Sequence, residues 1–181
     1  ALIRSAIRFC RDTQVIRETV GPVRLPPGTT TIELADYAEE GVPFALVDLN
    51  VNGVPMRKAL KKPPVQWGGS TILFRPNERV VEFAPALEES TDITLTMATA
   101  PASTAKQIDD ELATRWRDGV IGGAIAYLCA MPGQAFTSAD LAMYGAQMYA
   151  NDRGLARMAV NAAYDADPRV ERDRRAPFRV A

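Results

Sequence analysis

The sequence predicts an α+β protein: an α-helical bundle, built from a short N-terminal helix and a long C-terminal helical hairpin, with an inserted, mostly antiparallel β-sheet and an extended C-terminal arm. Three observations predict it. Apolar residues recur at steps of three and four through 108–131 and again through 138–166, with Met131-Pro132-Gly133-Gln134 as the joint between the two runs. From about residue 15 to residue 100 that period gives way to short β-type runs separated by turn residues. The last stretch, 168–181, has no helical period and carries five Arg against two acids. The expected domains are therefore 1–14 and 101–167 for the bundle, 15–100 for the β insert and 168–181 for the arm.

The N-terminal stretch places Leu2, Ile3, Ala6, Ile7, Phe9 and Cys10 on one helical face, with Arg4, Arg8 and Arg11 elsewhere. A helix this short does not stand alone, so packing against the C-terminal hairpin must hold it. Val15, Ile16, Thr19 and Val20 then lead into a Pro- and Gly-marked segment, 21–28. The expected strands are 30–34, 44–51, 54–60, 70–74, 79–83 and 93–97. Asn52-Gly53 is a hairpin signal, because both residues tolerate the positive φ of a type I′ turn, and Pro76-Asn77 marks a second turn. The loop 58–69 carries Lys61, Lys62 and Trp67. Trp67 there is either a tail-side or inter-subunit contact anchor, with the two lysines beside it, or a cap folded over one end of the sheet.

In the first C-terminal helix Leu112, Trp116, Val120, Gly123, Tyr127 and Met131 share a face, and Asp109-Asp110-Glu111 suits its positive end. Gly119, Gly122 and Gly123 cost helix stability and so predict close approach by a neighbouring backbone, within the subunit or between subunits. The second helix opens at a Thr137/Ser138 cap with Asp140 in its first turn and stops before Pro168. Small-residue stripes run along it at Ala139, Ala142 and Ala146, then at Ala156, Ala159 and Ala163. At about 1.5 Å per residue such a rod is on the order of 40 Å long, too long for a domain of this size to cover on every side. Part of its surface is expected to meet other chains. The tail 168–181 is a solvated end, an arm that orders in a partner's groove, or a modest nucleic-acid patch.

The 181 residues are 47% hydrophobic with a net charge of −1, which suits one ordinary globular domain or one with a small insert. There is no histidine, which removes the commonest general base and metal ligand together. No catalytic residues, metal site or cofactor are expected. The glycines at 119–123 form neither a phosphate loop nor a dinucleotide fingerprint, and acid pairs such as Glu39-Glu40, Glu88-Glu89 and Asp109-Asp110 read as solvated or capping groups. Asp109, Asp110, Glu111 and Asp118 on one helix read as a helix start and solvated face rather than a cation site. Cys10 and Cys129, each inside an apolar helical pattern and neither in a CxxC pair, are expected to be buried free thiols of a reducing compartment. No run approaches the length of a membrane span and no signal peptide is evident, so a soluble protein, made in a cell, is expected.

Several stretches carry a resemblance. They are Ile7-Arg8-Phe9-Cys10-Arg11 with Thr13, Val15 and Arg17, then Ile108-Asp109-Asp110-Glu111-Leu112 with Arg115-Trp116, and Ile121-Gly122-Gly123-Ala124 with Leu128. The last is Ala130-Met131-Pro132-Gly133-Gln134-Ala135-Phe136, where Phe136 stands in place of an expected tryptophan. In these residues and in its order of helix, β insert and helical hairpin, the chain resembles the head-to-tail adaptor, or head-completion, proteins of tailed bacteriophages. That resemblance implies a structural virion protein of the neck, assembled in the host cytoplasm. It would form a homo-oligomeric ring, commonly dodecameric, between the portal protein and a tail or nozzle protein. Double-stranded DNA would pass through the channel without sequence-specific binding. Carried over, Arg169, Arg172, Arg174, Arg175 and Phe178 become the portal-docking arm, while Leu112, Trp116, Gly123, Tyr127, Met131, Pro132 and Gly133 pack the helices. The competing expectations are a tail-completion or tail-tube component and, from a different class, a small-ligand or peptide-binding module.

Overall fold

The computed structural model describes residues 1–39, 41–56, 65–67, 70–75 and 79–165. The protein is a mixed α+β chain whose described strands all pair antiparallel. Two compact units divide it: Ile16–Ile108 is one, and Ala1–Val15 with the described residues from Asp109 onward is the other.

The β unit holds two four-stranded sheets rather than the single sheet expected. One runs β1 (Arg17–Leu25), β8 (Thr91–Ala100), β3 (Val42–Val51), β4 (Val54–Met56) in spatial order. The other runs β2 (Thr31–Glu33), β7 (Val80–Ala84), β6 (Ser70–Arg75), β5 (Val65–Trp67). Both contribute to one core: Leu25, Leu46, Leu49, Val51, Ile93, Leu95 and Met97 from the first sheet meet Ile32, Val81 and Phe83 from the second. The cause is visible in β8, where Ile93, Leu95 and Met97 are buried while Asp92 is exposed and Thr94 and Thr96 are half-buried. That alternation makes one apolar face per sheet, and each face covers the other.

Two strands escape the sequence expectation. Gly21-Pro22 opens the Pro- and Gly-marked segment for which no strand is expected, yet β1 runs through it by a register shift between Val20 and Val23 against β8. Pro lacks the N–H that a ladder needs, and an edge strand with a bulge is where it is tolerated. The second is β5, inside the expected loop 58–69: Trp67 ends that strand opposite Ser70 and so belongs to the sheet. Lys61 and Lys62 lie outside the described residues, as does Pro76-Asn77. Asn52-Gly53 makes the hairpin between β3 and β4, with φ of 49° and 76°. The Asn52 side chain also accepts the Asp92 N–H at 2.9 Å.

In the helical unit, α1 (Leu2–Thr13) buries Ala6, Phe9 and Cys10, while Leu2 is exposed. The single helix expected over 108–131 is two: α2 (Asp110–Thr114) and α3 (Arg117–Cys129), broken at Trp116 with φ −113° and ψ 21°. Leu112 and Trp116 are both buried, and the break turns the chain so that this wide ring and α3 share one core. Asp109 caps α2 by accepting the Glu111 N–H at 2.7 Å. The joint at Pro132-Gly133 leads to α4 (Ala139–Asp165), in which the Ser138 hydroxyl accepts the Leu141 N–H at 3.4 Å.

Helices α3 and α4 pack closely because their glycines face each other. A Cβ on Gly122 would stand 2.7 Å from the Gly145 carbonyl oxygen, and one on Gly145 would stand 2.6 Å from that of Gly122. The sequence left open whether such glycines serve pairing within or between subunits; at these positions the close neighbour is in the same chain. The line of α4 that turns inward is Ala142, Gly145, Tyr149, Asp152, Ala156 and Ala159, whereas Ala139, Ala146 and Ala163 are exposed.

Candidate interaction surface

Three elements converge on Phe9. Its ring centroid lies 6.0 Å from that of Trp116 and 5.8 Å from that of Tyr149, the latter edge-on at 84°. Polar contacts then tie α1 to the hairpin: the Ser5 hydroxyl donates to the Val120 carbonyl at 2.7 Å, and Tyr149 donates to the Asp12 carboxylate at 2.9 Å. Arg157 donates to the Asp12 carbonyl at 2.8 Å, and the Asp152 carboxylate accepts the Gly119 N–H at 2.6 Å. Sequence reading placed Arg4 and Arg8 off the apolar face of α1; both are exposed, and both reach tyrosines of the hairpin. Arg4 donates to the Tyr127 hydroxyl at 2.8 Å and lies 4.6 Å from that ring's centre, and Arg8 stacks 5.3 Å over Tyr149. No periodicity signals such contacts, because they depend on which tyrosine the hairpin brings under each guanidinium.

Beside these residues a cavity of about 340 Å³ opens between α1, α3 and α4, lined by Arg8, Gly123, Ala126, Tyr127, Ala150 and Arg153 among others. On another side, α4 exposes Leu141, Met143, Tyr144, Leu155 and Met158, each 52% to 68% accessible. Leu128 and Phe136 near the joint are also exposed. Five of the ten exposed large hydrophobic side chains among the described residues are thus on α4, and such a concentration of exposed apolar side chains marks a candidate interaction site.

Of the residues singled out from sequence, Leu112 and Trp116 are buried, Gly123 is packed under Tyr149 and against the Ser5 hydroxyl, and Tyr127 is partly exposed beneath Arg4. Met131 is half-buried, while Pro132 and Gly133 sit exposed at the joint. Trp67 belongs to the other unit, on β5. Arg169, Arg172, Arg174, Arg175 and Phe178 lie outside the described residues. Among the described residues no cluster of three or more acidic, Cys or His side chains is arranged to hold a metal ion. No helix there is long and apolar enough to cross a membrane.

Cys10 and Cys129 are buried free thiols. Burial, with a smaller contribution from the negative charge of Asp109, pushes the Cys10 thiol up from 9.0 to about 12. Tyr149 is raised in the same direction, by burial first and then by its hydrogen bond to Asp12. In both cases the unfolded chain loses the proton first, so the native state binds more protons at alkaline pH. Stability is therefore complete below the unfolded values and falls as pH rises past about 9, with a limiting slope of about 1.4 kcal/mol per pH unit for each group. Thermal melts between roughly pH 8 and pH 11 should show this decline, and Cys10→Ala should flatten its first part. A melting temperature independent of pH across that window would contradict the burial of these groups.

Compared with known proteins, the chain matches no protein-family model and no curated protein.

Proposed function

We propose that this chain is a structural virion protein, a head-to-tail adaptor of a tailed bacteriophage that forms a ring joining the portal to the tail and continuing the DNA channel. The observation that carries the reading is the apolar side of α4, which the rest of its own unit leaves uncovered and which suits a subunit built to meet other chains. The stretches that resemble adaptor proteins add to it: Ile7 to Arg11 lies on α1, Asp109 to Leu112 at the start of α2, and Ile121 to Ala124 on α3.

In this reading the helices act as one bundle with the β unit inserted between α1 and α2. The helical part meets the portal, the β part faces the tail, and the arm 168–181 docks on portal subunits through Arg169, Arg172, Arg174, Arg175 and Phe178. Arginine forks on partner carboxylates give that contact its geometry, and Phe178 anchors it. The protein then resides in the virion neck, with the portal, a tail or nozzle protein and its own copies as partners.

The test is to tag the protein, recover its complexes from the cells that make it, and image them by electron microscopy. Ring particles with an axial pore, or phage necks carrying the tag, are expected. Free monomers, even beside the full set of partner proteins, would return the chain to the ligand-binding alternative. Removing 169–181 should leave a folded protein that no longer attaches to its partner ring. Attachment at wild-type level by the shortened chain would refute the arm.

A further inference from the structure

Two open sides of α4 have opposite character. Leu141, Tyr144, Met148, Leu155 and Met158 recur at steps of three and four, with Asn151 filling the one gap in the repeat; Met148 is half-buried against Gly122 and the other four are exposed. At about 100° per residue they form a single ridge. Asp140 stands at its start, and from Leu141 to Met158 no charge interrupts it. Asp152 turns to the Gly119 N–H, Arg153 lies 3.7 Å from the Asp12 carboxylate, and Arg157 is bonded to the Asp12 carbonyl. Roughly half a turn around the same helix lies the trough: the cavity of about 340 Å³, walled by Gly123, Ala126, Ala146 and Ala150. Arg8 sits on its rim, and Arg4 reaches the lining Tyr127. Both arginines stack on tyrosines and have no ion pair among the described residues.

We infer that the trough receives the ridge of a second copy of this chain, so that neighbouring subunits meet through unlike faces of α4. This rests on the ring reading and specifies the contact that would build the ring. Large side chains on one face and small ones on the other are complementary in shape. Because the ridge and the trough lie on opposite sides of one helix, no copy can satisfy its own. A contact between unlike faces repeats from subunit to subunit and closes when its rotation does. Charge narrows the choice of occupant. The ridge residues from Leu141 to Met158 themselves carry neither carboxylates to pair the arginines of 168–181 nor cations to pair DNA phosphates. Asp140, exposed at the start of the ridge, supplies a carboxylate suited to the Arg4 and Arg8 rim.

The experiment uses the full chain and two variants at exposed positions. The ridge variant carries Leu155→Glu with Met158→Glu, and the trough variant carries Ala150→Trp; unchanged melting curves establish that each is folded. By analytical ultracentrifugation the wild type should form assemblies larger than a dimer, and each variant alone should lose every species above monomer. Mixed in equal amounts, the two variants should give a dimer and nothing larger, because only one intact ridge and one intact trough remain to meet. Variants that assemble like the wild type, a mixture that stays monomeric, or a wild type that is monomeric at millimolar concentration would each overturn the inference. Tagged rings or necks that persist with the ridge variant would remove this contact and leave the adaptor reading standing. Absence of rings from every sample, including those from producing cells, would remove both.

Discussion

Phe9→Ala should destabilise the helical unit by about 3 to 5 kcal/mol, the usual cost of truncating a fully buried aromatic ring. Phe9 has no accessible surface and touches the two other large rings of that core, Trp116 and Tyr149. Its loss would open a cavity that backbone movement cannot easily close, because Gly119 already stands against the ring: a Cβ there would lie 2.8 Å from the Phe9 ring edge. Since a domain has about 5 to 15 kcal/mol in total, the change removes a large fraction of its stability. Urea denaturation followed by Trp fluorescence measures it, and Phe9→Leu should recover about half of the loss by refilling part of the volume. A cost below about 1 kcal/mol for Phe9→Ala would mean that α1 does not pack on the hairpin as described.

Gly145→Val should cost about 3 kcal/mol or more, and Gly154→Ala on the same helix should stabilise by about 0.5 to 1 kcal/mol. The contrast comes from surroundings. At Gly145 an added Cβ meets the Gly122 carbonyl, the Ala126 nitrogen at 2.8 Å and the Ile125 Cβ at 3.1 Å, and two of those three are backbone atoms that cannot rotate away. At Gly154 an added Cβ meets nothing within 4 Å, so only the helix preference for Ala over Gly remains. Chemical denaturation of both variants separates the two effects. Equal, small destabilisation at both positions would show that α3 and α4 do not approach at Gly122 and Gly145.

Secondary structure with a strong local cause was legible in the chain. The period of three and four in 138–166 announced the start of α4 to within a residue and its course through the described residues, and Asn52-Gly53 announced its turn because both residue types tolerate the positive φ it requires. Asp109 could be placed at a helix start for the same reason, since a capping carboxylate acts over two residues. Local rules failed where a distant partner decides the outcome. Gly21-Pro22 has the composition of a turn but is held in a strand by pairing with β8, which lies some seventy residues further along the chain. Trp116 fits a continuous helical face, yet the helix breaks there because its indole is claimed by a core that includes Phe9.

The surface followed the same division. The sequence by itself determined that α4 is long, that its faces differ, and that no histidine-based chemistry is available to the chain. Those are properties of residue type and short-range spacing. Only the tertiary structure decided which face of α4 is spent on α3 and α1, which is left exposed, and that Arg4 and Arg8 stack on Tyr127 and Tyr149. A helical period states that a face will be buried but not against what. The answer depends on two glycines from different helices meeting at van der Waals distance, a condition set by contacts between residues far apart in the chain.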